Sequence, residues 1–331
     1  MAYTTIDDPS AYFQTKLYTG TGSSLALTND GNSDLQPDWV WVKCRDDSHN
    51  HQVFDSVRGV HKRMRTDTDG AETESSESLK SFNTDGFTLG TQANVNNSGN
   101  TFVAWNWKKT ADIGFDIVSY TGNATARTIS HSCGAVPTMI IAKRRSSAES
   151  WGVYHVARTP NKFLRLEATN NEPDDESSIW NNTTPTSSVF SVGTSGLCNQ
   201  NNGTYIAYLF ADIKGFSKMG SYVGNGNANG SFIFTGFKPA WIMIKKSTDS
   251  ANSWFIGDNK RSPFNIVLNY LLADTSDVDE SGSGQERDFL SNGFKIRNSN
   301  NGLNTSGSTY VYMAFAENPF VTSTGVPATA R

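Results

Sequence analysis

Pro37-Asp38-Trp39-Val40-Trp41-Val42-Lys43 sets four consecutive apolar residues between a proline turn and a lysine. With apolar side chains at odd and even positions alike, the run reads as a strand buried on both faces. The phrase returns as Pro137-Thr138-Met139-Ile140-Ile141-Ala142-Lys143 and as Pro239-Ala240-Trp241-Ile242-Met243-Ile244-Lys245. Other landmarks keep the step. Tyr18-Thr19-Gly20 returns as Tyr120-Thr121-Gly122 and Tyr222-Val223-Gly224, and Arg58 as Arg158 and Arg261. Gly86-Phe87-Thr88-Leu89 has counterparts in Val189-Phe190-Ser191-Val192 and Gly293-Phe294-Lys295-Ile296. Thr101-Phe102-Val103-Ala104-Trp105 matches Thr204-Tyr205-Ile206-Ala207-Tyr208 and Thr309-Tyr310-Val311-Tyr312-Met313. Landmarks in one order, 100 to 105 positions apart, are one unit written three times.

A period near 100 exceeds the roughly 20–50 residues of solenoid and propeller repeats and is the size of a domain able to close its own core. The expected division is 1–110, 111–214 and 215–331. The joints Lys108-Lys109-Thr110-Ala111-Asp112 and Ala211-Asp212-Ile213-Lys214 are brief and are not glycine-serine tethers, so a fixed arrangement is expected.

Around the doubly apolar strands lie alternating ones, Phe13 to Tyr18, Phe115 to Tyr120 and Phe232 to Phe234, separated by turns rich in Asn, Gly and Ser. One sheet would leave its apolar face wet, so the expected fold is all-β, with three tandem β-sandwiches of the jelly-roll or concanavalin type. No sustained helical period is present; 264–272 is the best helical candidate, with a strand as the alternative.

Charged residues make up 18%, below the roughly 25% of an average soluble chain. A net charge of -4 argues against nucleic acid as the main partner, and the one basic cluster, His61-Lys62-Arg63-Met64-Arg65, is followed at once by an acidic stretch and reads as a solvated strand edge. Cys44, Cys133 and Cys198 fall at non-equivalent repeat positions and form no disulfide framework. The opening Met1-Ala2-Tyr3-Thr4-Thr5-Ile6 has neither a basic region nor an apolar stretch, so no signal peptide is expected, and no apolar run has the length of a membrane helix.

Chemistry-bearing patterns are few. Gly-x-Ser-x-Gly is absent, and no acidic residue recurs inside an apolar strand where a catalytic acid would sit. No catalytic residue and no cofactor site is therefore expected. His49-Asn50-His51 has a chelating spacing but no copy, since Trp151 and Trp254 hold the position of His51. Acidic clusters recur in register at Glu72, Glu74 and Glu77; at Asp174, Asp175 and Glu176; and at Asp277, Asp279 and Glu280. Glu74, Glu176 and Glu280 are the candidate metal ligands, with calcium as the cation and solvated turns as the competing reading. Lys43, Lys143 and Lys245, with Arg58, Arg158 and Arg261, are expected to be structural cations tying strands through carbonyls or carboxylates, against the alternative of a ligand-pocket floor.

The Tyr-Thr-Gly-Asn phrase, the Pro-x-Trp/Met strand ending in Lys, Thr204-Tyr205-Ile206-Ala207-Tyr208-Leu209-Phe210-Ala211 and Ala314-Phe315-Ala316-Glu317-Asn318-Pro319-Phe320 resemble the repeated concanavalin- or laminin-G-like domains of tailed-phage structural proteins. The likeness runs from Tyr12 to Phe320. It implies a virion protein, made in the host cytoplasm: a compact tail fibre, spike or tip adhesin for host surface carbohydrate. The alternatives are a capsid decoration protein and a polysaccharide depolymerase. The expected partners are other virion proteins, reached through module faces and the chain ends, with self-association allowed and no membrane insertion. Tyr3, Ile6, Val321 and Val326 are the apolar residues of tails too poor in apolar surface to order alone, so partner docking is expected there.

Overall fold

The computed structural model describes residues 2–169, 176–248 and 251–329. The fold is all-β and of the sandwich type, and the α-helices among the described residues are four residues long each. The first large sheet has the order Phe13–Thr19, Thr101–Trp107, Trp39–Cys44, Gln52–Asp55. The second begins Phe115–Thr121, Thr204–Ala211, Pro137–Arg144, Gly152–His155, and the third Ser217–Val223, Thr309–Pro319, Phe237–Lys246, Trp254–Asp258. Neighbours are antiparallel throughout. In each sheet the two doubly apolar strands lie side by side in the interior, where no polar edge is needed. A small sheet covers one face of each: Leu25–Leu27 with Phe87–Leu89 and Leu79–Phe82, Arg127–Ser130 with Val189–Val192, and Phe232–Phe234 with Gly293–Ile296 and Arg287–Leu290.

Alternation along the inner strands explains why both of their faces are apolar. Val40, Val42 and Phe102 face the first small sheet and pack on Phe87 and Leu89. Ile140, Ala142 and Leu209 do the same in the second repeat, and Ile242, Ile244 and Tyr312 in the third. The intervening residues Trp39, Trp41, Trp105, Met139, Ile141, Tyr208, Trp241, Met243 and Met313 all belong to one further cluster. The three large sheets thus bury their second faces against one another. Each repeat closes a small core, but the largest core is common property.

Two expectations need correction. Segment 264–272 is not the helix but its strand alternative: Val267, one of its β-branched residues, bridges Arg287, and Asn269–Leu272 is a strand. Tyr3 and Ile6 are not free for a partner. Ile6 is 4% exposed inside the common core, and Tyr3 donates to the Gly236 carbonyl at 2.8 Å while packing on Phe320. The tail has little apolar surface of its own, yet it orders because the three sheets supply the surface it covers. Val326 is exposed, and Val321 is half-buried and bridges Pro327.

Candidate functional site

The Tyr-x-Gly corner is built alike three times. Tyr18, Tyr120 and Tyr222 donate to the carbonyls of Val95, Cys198 and Leu303 at 2.7, 2.8 and 2.7 Å. Each stacks on its cross-strand partner, Phe102, Tyr205 or Tyr310. The glycine two residues on lies against backbone, and a Cβ there would stand 2.1, 2.2 or 2.3 Å from the oxygens of Asn97, Gln200 and Thr305. Beside each corner a fully buried asparagine ends a short helix: Asn96, Asn199 or Asn304. Its amide donates to the carbonyls of Gly90, Gly193 or Asn298, and its oxygen accepts from the backbone of Thr21, Asn123 or Asn225. Sequence reasoning missed these hubs, although they recur at the repeat step.

The repeated cations do not converge on a pocket. The three lysines lie at the junctions between repeats. The Lys43 ammonium donates to the Ser276 carbonyl of the third repeat at 3.1 Å, Lys143 to Asp69 of the first at 3.1 Å, and Lys245 to Ala168 and Thr169 of the second at 3.2 and 3.0 Å. Lys143 and Lys245 thereby pin a loop of the preceding repeat, and the Lys43 contact with the third repeat closes the cycle. Burial pushes all three amines down to about 8.

Trp151 and Trp254 follow the same cycle, donating to the carbonyls of Arg65 and Arg165. His51 does this work in the first repeat. Its Nδ1 accepts from the Trp41 indole at 2.8 Å and its Nε2 donates to Leu272, so it chelates nothing. A second cycle joins the strand ends: Tyr208 and the Trp105 indole donate to Asp55 and Asp258, while His155 donates to the Tyr312 carbonyl. Burial holds His155 down at about 4 and His51 well below the ordinary imidazole range, so both rings are neutral.

Arg58 and Arg261 are buried and matched. Each pairs with its Asp three residues back and donates to the carbonyl of Val53 or Ile256, and their outer nitrogens reach Glu72 and Asp279. Those two carboxylates also accept from Arg145 and Arg45 across the junctions. Arg158 is only half-buried, and Asp174 and Asp175 lie outside the described residues. Of the candidate metal ligands, Glu74 is exposed beside Lys62, Glu176 accepts from Ser178 and exposed Glu280 accepts from Tyr270. They stand in separate repeats, and among the described residues no group of three His, Cys, Asp or Glu could hold a metal.

A cleft of about 390 Å³ opens where the first and third repeats meet without a covalent linker. Its polar wall includes Thr15, Asp30, Asn32, Asn259, Lys260 and Glu317, and Phe13, Ala240 and Ala316 supply apolar surface. Asp30 pairs with Lys260 at 3.2 Å, and Glu317 accepts from Asn259 at 2.8 Å and pairs with Lys238 at 3.3 Å. Gln14 shapes the rim by accepting from the Gly31 backbone at 2.7 Å. Nothing in the sequence marks this cleft, because its walls come from segments more than 200 positions apart.

Residues 8–319 match the family described as Domain of unknown function (DUF7483), a span that takes in all three repeats. The chain belongs to the DUF7483 family. A search of the curated proteins finds no match to it. The DUF7483 match begins at the Asp8 cap, where Asp8 accepts from Ser10 and Ser33, and ends at Pro319, paired with Phe237. Both ends of the match therefore border the junction that holds the cleft.

Proposed function

We propose that this chain is a non-enzymatic surface protein of a bacteriophage virion, a compact tail fibre, spike or tip adhesin that binds host surface glycans. The observation that carries the reading is the junction cleft, a polar concavity of mixed charge on an interlocked scaffold. Such a scaffold holds a binding wall in place before the ligand arrives, which lowers the entropic cost of binding. The buried groups that could have served catalysis are committed to structure: His51 and His155 to carbonyls of neighbouring repeats, and the three lysines likewise. Both carboxylates at the cleft are salt-bridged to lysines, whereas glycoside hydrolysis needs one carboxyl to arrive protonated.

One observation also favours the second reading, capsid decoration. The segments around Tyr3 and Phe320 meet, with Asp7 accepting from the Ser323 backbone at 2.6 Å and Tyr3 packing on Phe320, so attachment through them would occur at one pole. Labelling intact virions separates tail from head. The adhesin reading is tested by incubating purified protein with bacterial surface polysaccharides. Retention of the polymer with its chain length unchanged is expected; released oligosaccharide would establish a depolymerase instead.

A further inference from the structure

Strand pairing makes Thr15, Ile117 and Met219 equivalent, since they face Trp105, Tyr208 and Met313 across the same register. In the second and third repeats the position feeds the common core, and Ile117 and Met219 are buried there. The first repeat places a hydroxyl instead. Thr15 is 3% exposed, it lines the junction cleft, and its Oγ1 has no hydrogen-bond partner in the protein. A buried polar group left without a partner is costly, and the other two repeats show that the fold does not require one here.

We infer that the cleft between the first and third repeats is a subsite for one neutral sugar ring, with the Thr15 hydroxyl as one of its ligands. This rests on the glycan-binding reading and names its site and ligand class. A χ1 rotation would turn the Thr15 hydroxyl, enclosed in the free protein, toward a ligand without giving up any protein bond. Asp30 and Glu317 are acceptors suited to adjacent sugar hydroxyls, while Lys260, Asn259 and Asn32 supply donors. Phe13, Ala240 and Ala316 offer apolar surface to the C–H face of a ring. The lysines at the cleft are already paired, Lys260 and Lys16 with Asp30 and Lys238 with Glu317, so the wall has no uncommitted cation to draw phosphate, sulfate or an acidic sugar. The volume lies at the lower end of the roughly 300–1,000 Å³ of small-molecule sites, which suits one ring better than an extended chain.

The test uses the full chain and two variants, titrated with neutral hexoses, N-acetylhexosamines and their disaccharides, with uronic acids and sialic acid as the acidic arm. Binding is read by ligand-observed NMR, and retention of surface polysaccharide is followed in parallel. Thr15→Val removes the hydroxyl at nearly constant shape, and Asn32→Trp fills the mouth from an exposed position. The expected result is low-millimolar binding of a neutral sugar, weakened about tenfold in Thr15→Val and abolished in Asn32→Trp. The melting temperature of Thr15→Val should be unchanged or higher, which a merely structural hydroxyl would not give. Wild-type retention of polysaccharide with both variants binding equally well would overturn the cleft assignment and leave the adhesin reading standing. Binding of acidic sugars alone would overturn the neutral class. No binding of any sugar or polysaccharide would overturn both.

Discussion

Lys143 shows what retention of a residue in every repeat means in this protein. Its ammonium is buried, donates across a junction to Asp69 and within its own repeat to Arg144, and is pushed down to about 8 by loss of water. Lys43 and Lys245 are in the same state. Between pH 8 and the ordinary 10.5 the unfolded chain holds more protons on these amines than the folded one, so their contribution to stability rises with pH. Burial pushes the Cys44 thiol up to about 11 and those of Cys133 and Cys198 up to about 12, against an ordinary 9.0. There the folded chain keeps protons that the unfolded chain loses, so stability falls above pH 9. On the acid side His155 stays neutral down to about 4, so stability declines as pH drops below 6.5. Melting under reducing conditions should therefore rise from pH 8, level off between about 9 and 10.5 where amines and thiols oppose each other, and fall above that, and the triple variant Lys43→Met, Lys143→Met, Lys245→Met should lose the rise between pH 8 and 9.

The Tyr-x-Gly corner is the element on which each repeat turns, and it makes a prediction at three places at once. Gly122→Ala drives a methyl into the Gln200 carbonyl, and Asn199→Ala orphans the buried Gly193 carbonyl and the Asn123 amide. Each should cost about 2–4 kcal/mol in urea unfolding, with matching losses at Gly20 and Asn96 and at Gly224 and Asn304. The glycines were legible in the sequence because a tight corner demands them. The asparagines were not, since a buried hub looks like any other residue of an asparagine-rich turn. The paired inner strands were legible because they are apolar on both faces, which only a doubly covered strand tolerates. The short helices escaped notice, because four residues carry no period. The sequence places the repeated lysines at strand ends and is silent on which repeat they reach. The burial of Ile6 is hidden from the sequence for a related reason: it depends on surfaces brought together from all three repeats.

At the scale of the whole molecule, three features bind the repeats into one body: a common core, the lysine cycle and the second cycle through Asp55, His155 and Asp258. A repeat taken alone would expose Trp39, Trp41 and Trp105, or their counterparts, and leave its buried lysine facing water. The cleft depends on this assembly too, because the first and third repeats form its walls only when the cycle is closed. Scanning calorimetry of the full chain under reducing conditions tests the interlock directly. One transition is predicted, with the calorimetric enthalpy equal to the van't Hoff enthalpy. Two or three resolved transitions, or a calorimetric enthalpy about three times the van't Hoff value, would mean that the repeats unfold separately.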